Sequence, residues 1–174
     1  MADIMIDIEG LATGPETTIL TIAALEFDPL RRDAFGREYY VRVDLESQEG
    51  RTIEQGTIEW WASQPAIIRE EAFNEHDRVP LRDALQGLHR MVWHAKRVWA
   101  QGPTYDMNIL EHAYKSLEMP LPWRYYAVRD SRTLFSLCPN LEKYPASHHA
   151  LEDCRRQCRL LWDVLESLKI KELA

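Results

Sequence analysis

Residues 3–9, Asp-Ile-Met-Ile-Asp-Ile-Glu, alternate with a period of two. Successive side chains of a strand point to opposite faces, so Ile4, Ile6 and Ile8 take one face and Met5, Asp7 and Glu9 the other. An all-isoleucine face opposite a mixed one is the pattern of a central strand covered on both sides. Two carboxylates about 6.6 Å apart on such a strand are costly unless something compensates them. A divalent cation with oxygen ligands would do so. The competing reading is the solvated edge of an amphipathic strand.

The rest of the chain builds around that strand. Residues 17–27 are rich in β-branched and apolar types and residues 37–43 alternate again, with short Gly- and Pro-containing links between them. An antiparallel three-stranded meander is expected. From about residue 57 the apolar period becomes helical. Thr57 is the expected cap of one helix, and Gln64-Pro65 starts another. A helical stripe of Leu81, Ala84, Leu85, Leu88, Met91 and Val92 spans 80–95. A strand at 97–101, a helix at 104–117, a strand at 125–128 and a short helix at 131–137 follow. The chain closes with a helix over 149–168, whose inner side carries Leu151, Cys154, Cys158, Leu161, Trp162 and Leu165. This order predicts an α/β fold: a mixed five-stranded sheet, antiparallel meander then parallel strands, flanked by helices. The polar stretch 46–56 is expected to be a mobile loop. At 174 residues, one domain over 1–174 is expected.

Composition narrows the function classes. The net charge of −7 excludes a general polyanion binder with a broad basic footprint. Any nucleic-acid role must be local, in a pocket whose acids are neutralised by cations. Three cysteines, Cys138, Cys154 and Cys158, make no disulfide framework and no paired zinc motif. The N-terminus lacks the basic lead of a signal peptide, and no stretch approaches the ~20 apolar residues of a membrane span. A cytoplasmic protein is expected.

Two further segments carry chemistry. Asp106 follows Gly102-Pro103 at the start of a helix, where an Asp also serves as an ordinary cap. His148 and Asp153 would lie about 140° apart on one helix, so they converge only if His148 sits in the loop before it. Pro145-Ala146-Ser147 supports that loop. The rival is a plain His149–Asp153 pair on the helix surface.

Asp-x-Glu near the N-terminus, a middle Asp after a strand and a late His-x-Ala-x-x-Asp resemble the DEDDh 3'-5' exonucleases of the ribonuclease H-like fold. The resemblance is strongest to the branch of ribonuclease T and the small exonuclease VIII-like bacterial or phage enzymes. MIDIEGLATGPETTILTIAALEFDP, WAQGPTYDMNILEHAY and YAVRDSRTL carry it over most of the chain. It implies two Mg²⁺ or Mn²⁺ ions, with Asp7, Glu9 and Asp153 on the first and Asp7 with Asp106 on the second. His148, rather than His149, matches the motif histidine and is implied as the general base. The implied substrate is the 3' end of single-stranded nucleic acid, RNA before DNA, and the implied assembly is a homodimer. An exodeoxyribonuclease and a non-catalytic module that binds nucleic-acid ends are the alternatives.

By the same analogy Gly10 contacts the terminal nucleotide through its main chain, although much of the family carries Thr there. Leu11 and Tyr105 wedge or stack the terminal base. Trp60 and Trp61 are adjacent, so only one can face the core of a helix; the other is free to stack a base for ~1–3 kcal/mol. Arg129 and Arg132 flank Asp130 in an expected structural network near the site.

Overall fold

The computed structural model describes residues 2–141 and 144–173. The expected meander forms from β1 (Asp3–Gly10), β2 (Ile19–Phe27) and β3 (Phe35–Val43), paired antiparallel in that order. On its other side β1 pairs in parallel with β5 (Arg97–Ala100), and β5 with β6 (Val128–Asp130). The strand β4 (Arg78–Val79) adds in parallel to β3, so the sheet has six strands in the order β4-β3-β2-β1-β5-β6, one more than expected. Two residues carry no alternation, which is why β4 is silent in the sequence.

Both faces of β1 are covered. Ile4, Ile6 and Ile8 join a cluster with α3 (Leu81–Val92) and α4 (Pro103–Ser116), including Leu85, Leu88 and Leu110. Met5 on the opposite face packs with Ala23 and Leu25 of β2 and with Cys154, Cys158 and Leu161 of α6 (Ala150–Ser167). A third cluster, Leu11, Leu20, Trp61 and Ala72, joins the end of the meander to α1 (Gln55–Ser63) and α2 (Ala66–Ala72).

Local chemistry moves several expected boundaries. The helix expected to be capped by Thr57 starts at Gln55, with Glu54 in the capping position but making no side-chain cap. Its carboxylate instead accepts from the Thr13 N–H and hydroxyl, both at 3.2 Å. The strand expected at 125–128 begins only at Val128, because Tyr125–Ala127 wind into a 3₁₀ turn; α5 (Ser131–Ser136) follows. The loop at 46–56, expected to be mobile, is tied to the meander. The buried Gln48 side chain both accepts from the Ile19 N–H and donates to the Ile19 carbonyl at 2.8 Å, as a neighbouring strand would. Thr52 exchanges backbone bonds with Glu16 and Thr18. Among the described residues no helix is long and apolar enough to cross a membrane.

Candidate active site

The acids converge because three elements end at one place. Asp7 and Glu9 lie on the α6 side of β1, opposite Ala23 and Thr21 of β2, whose small side chains leave room above them. The β1–β2 register shifts between Glu9 and Gly10, an irregularity that re-aims the chain just past the two acids. Asp106 stands in the first turn of α4 and is buried. Its Oδ1 accepts the Ile8 N–H at 3.2 Å, beyond the point where β5 stops pairing with β1. So the carboxylate faces the sheet, and the simple capping role is not its whole business.

Asp153 enters from the first turn of α6 and is buried. One oxygen accepts from the Ser147 N–H at 2.9 Å and the Arg156 Nε at 2.8 Å, and the other from the His148 N–H at 2.8 Å. His148 lies in the loop before the helix, as the helical geometry required. It has a left-handed backbone, φ 54°, a conformation that costs a non-glycine residue roughly 1–2 kcal/mol. The two N–H bonds to Asp153 hold that turn. Ligand atoms of Glu9, His148 and Asp153 all lie within 4.8 Å of one another.

The neighbouring histidine goes elsewhere. His149 precedes α6 in its capping position and stacks on Tyr40 at 4.6 Å, with Nε2 3.7 Å from a Glu71 oxygen. Glu71 in turn accepts from the Tyr40 hydroxyl at 2.9 Å.

Crowding of acids sets the electrostatics. Burial, then the charges of Asp106, Glu9 and Asp153, push Asp7 well above the usual carboxylate range, against the lowering effect of a hydrogen bond from Gln157. Glu9 is pushed up to about 8 by burial and then by Asp153 and Asp106. Burial raises Asp106 to about 7 even though the Ile8 N–H favours its charged form. Half-buried Asp7 and Glu9 and buried Asp106, all held above the usual carboxylate range, suit a hard divalent cation, and a donor set of carboxylates with one imidazole suits Mg²⁺ or Mn²⁺.

A cleft of about 560 Å³ opens beside Glu9, between Gly10, Thr13, Trp60 and Tyr105. Gly10 is closely surrounded: a Cβ there would lie 3.0 Å from both Thr17 Cγ2 and the Tyr105 hydroxyl, so those side chains would have to give way by a few tenths of an ångström. Trp60 is 41% exposed and meets the His148 ring edge-on at 4.8 Å. Trp61 and Leu11 are each 2% exposed, and Trp61 Nε1 donates to the Gly10 carbonyl at 3.1 Å. Of the two tryptophans Trp61 is thus the one that faces inward, and it shares a buried cluster with Leu11, while Trp60 lines the cleft. A larger cavity of about 740 Å³, lined by Ile58, Trp61 and Phe73, holds none of the five expected acid and histidine residues. Asp130 caps α5, accepting from the Arg132 N–H at 2.9 Å and the Thr133 hydroxyl at 2.6 Å, and it also takes the Gly102 N–H at 3.2 Å. The network around Asp130 is thus built from two backbone N–H groups and the Thr133 hydroxyl, while the Arg132 guanidinium donates to the Gln101 carbonyl at 3.0 Å.

Two residues at the site escaped the sequence reading. Arg156 bridges Asp153 to the Gln101 side chain, and Gln157 donates to Asp7 Oδ1 at 2.6 Å. Their spacing, three and four residues after Asp153, is the available signal.

Residues 2–165 match the 3'-5' exoribonuclease Rv2179c-like domain. The chain belongs to that family. Solved structures share its architecture at low identity. Pop2p of S. pombe, in its Mg²⁺- and Mn²⁺-bound form, superposes with a TM-score of 0.65 and 11% identity over 99% of this chain and 86% of its own. The nuclease domain of 3'hExo, a DEDDh family member bound to rAMP, gives 0.61 and 12% over 95% and 92%. Exonuclease X in complex with 5' overhanging duplex DNA gives 0.57 and 16% over 95% and 92%. An exodeoxyribonuclease of Enterobacteria phage T4 is 24% identical over 132 residues, 68% of this chain, and the chain spans 58% of that relative's length. The fold is the one that these nucleases share, and the matched family domain is described as a 3'-5' exoribonuclease one.

Proposed function

We propose that this chain, as one exonuclease domain over 1–174, hydrolyses phosphodiester bonds from the 3' end of single-stranded nucleic acid, with RNA preferred, using two Mg²⁺ or Mn²⁺ ions. The observation that carries this reading is the meeting of Glu9, His148 and Asp153 within 4.8 Å, beside the mutually repelling Asp7 and Asp106. Asp7, Glu9 and Asp153 would hold one ion, and Asp7 with Asp106 the other. Divalent cations there supply Lewis acidity to the scissile phosphate and the attacking water.

The chain's own residues do the rest. His148 accepts the proton of the attacking water at a ring nitrogen, and the Asp153 bond to its backbone keeps the ring over the acids. The Gly10 main chain, Tyr105 and Trp60 receive the terminal nucleoside in the cleft beside Glu9, with Leu11 and Trp61 as the support behind it.

RNA preference is favoured by the family's exoribonuclease description. The phage exodeoxyribonuclease likeness favours DNA as a second reading. A shortening assay on free and 3'-blocked single-stranded RNA and DNA, with Mg²⁺, Mn²⁺ or EDTA, separates them. Metal-dependent shortening from free 3' ends, faster on RNA and absent in Asp7→Asn, is the expected result. Shortening of blocked ends, or full activity of Asp7→Asn, would overturn the assignment, and faster shortening of DNA would overturn the sugar preference.

A further inference from the structure

The buried stripe of α6 runs Ala150, Cys154, Cys158, Leu161 and Leu165, with Asp153 and Gln157 beside it, one turn apart. Asp153 belongs to the acidic centre. Gln157 has no such reason to be inside, yet it is 1% exposed, facing the sheet where the helical period calls for an apolar side chain. Its Nε2 donates to Asp7 Oδ1 at 2.6 Å. Its Oε1 is buried and meets no hydrogen-bond partner among the described residues. A buried, unanswered amide oxygen is unfavourable, and most native side chains avoid it. A glutamine kept for packing alone would be better replaced by methionine or leucine of similar size. What the amide adds over those residues is one N–H aimed at Asp7.

We infer that Gln157 is a positioning residue for Asp7. Its N–H holds one carboxylate oxygen in a fixed direction, leaving the remaining lone pairs of Asp7 aimed into the centre. This inference rests on the proposed role of Asp7 as a metal ligand. The carboxylate sits on a strand and cannot turn its backbone, so the orientation of its two oxygens is set by whatever side chain bonds it. Asp153 is held by two backbone N–H groups and Arg156, and Asp106 by the Ile8 N–H. For Asp7 the donor in this role is Gln157.

The test uses the metal-free full chain and Mn²⁺ alone, titrated calorimetrically on the folded protein, for wild type, Gln157→Met, Asp7→Asn and the double variant. Partners that orient a metal ligand are typically worth 10–100-fold in affinity or activity. Gln157→Met is expected to weaken Mn²⁺ binding about 10-fold or more. It should also lower kcat on an oligonucleotide with KM unchanged, and keep or raise the metal-free Tm because the unanswered oxygen is gone. In the Asp7→Asn background the methionine should cause no further loss. Wild-type Mn²⁺ affinity in Gln157→Met, with or without a fall in Tm, would overturn the inference. So would an equal loss in both backgrounds, because Gln157 would then act without Asp7. Wild-type affinity in Asp7→Asn alone would instead overturn the metal reading itself. Gln157→Leu takes the place of the methionine variant if that one does not fold.

Discussion

Replacing Glu9 with glutamine should make the metal-free protein more stable, by an amount that grows with pH. Glu9 is pushed from an ordinary 4.5 to about 8, by burial first and then by the charges of Asp153 and Asp106. In the unfolded chain the carboxyl ionises near its ordinary value, whereas the folded protein keeps it protonated until the pH approaches 8. The folded state thus binds the extra proton. Wild-type stability must fall as pH rises from 4.5 towards 8 and then level off. Those two values give a cost of about 3 kcal/mol at pH 7 and roughly 1 kcal/mol at pH 5. Glutamine keeps the shape of the protonated acid and never ionises, so it removes the cost. For a chain of this size that raises Tm by about 6–12 °C at pH 7 and about 2–4 °C at pH 5. Scanning calorimetry in EDTA at the two pH values measures it. Added Mn²⁺ should narrow or reverse the difference, since a ligand stabilises the form that binds it. A metal-free Glu9→Gln with a Tm at or below wild type at pH 7, or with the same increment at pH 5 and pH 7, would refute the reasoning.

The two histidines should separate cleanly: His148→Ala slows turnover about 10²–10⁴-fold with metal binding retained, whereas His149→Ala is mild, as single-turnover rates would show. If the effects were exchanged, the base would be His149. Trp61→Ala should cost about 3–5 kcal/mol of stability, because the ring is buried in the small cluster beside the meander. Trp60→Ala should leave Tm nearly unchanged and weaken oligonucleotide binding by about 1–3 kcal/mol, and titration of the catalytically inert Asp7→Asn protein with a short oligonucleotide checks it. Arg156→Met leaves the buried Asp153 without its cation, and denaturant unfolding should report a loss of about 3 kcal/mol; an unaltered midpoint would mean that the two N–H donors suffice.

Those residues also mark what the sequence could and could not tell. The two-faced alternation of β1 announced a strand covered on both sides, because period-two patterning survives any tertiary context. The loop position of His148 followed from the arithmetic of helical turns, and the single inward tryptophan from their adjacency. The rest depended on partners distant in the chain. Nothing near Asp106 signals that its carboxylate will take the Ile8 N–H, 98 residues away. Nothing near Thr57, the expected cap, signals that the helix will start after Glu54, whose carboxylate is taken by Thr13, 41 residues away. Gln157 and Arg156 read as the solvated face of a charged helix, since polarity by default points outward. Burial of Leu11 was likewise hidden, because it depends on α1 and α2 packing over it.

The small cluster of Leu11, Leu20, Trp61 and Ala72 has a dynamic consequence. It carries the Trp60 side of the cleft, while the acids are mounted on β1 and on the first turns of α4 and α6, which belong to the two larger clusters. A region stabilised by few buried residues opens at a lower free energy than the global core. The α1–α2 segment can therefore loosen as a unit of its own while β1 and α6 stay protected from exchange. Such a local opening would leave the alignment of Asp7, Glu9 and Asp153 undisturbed.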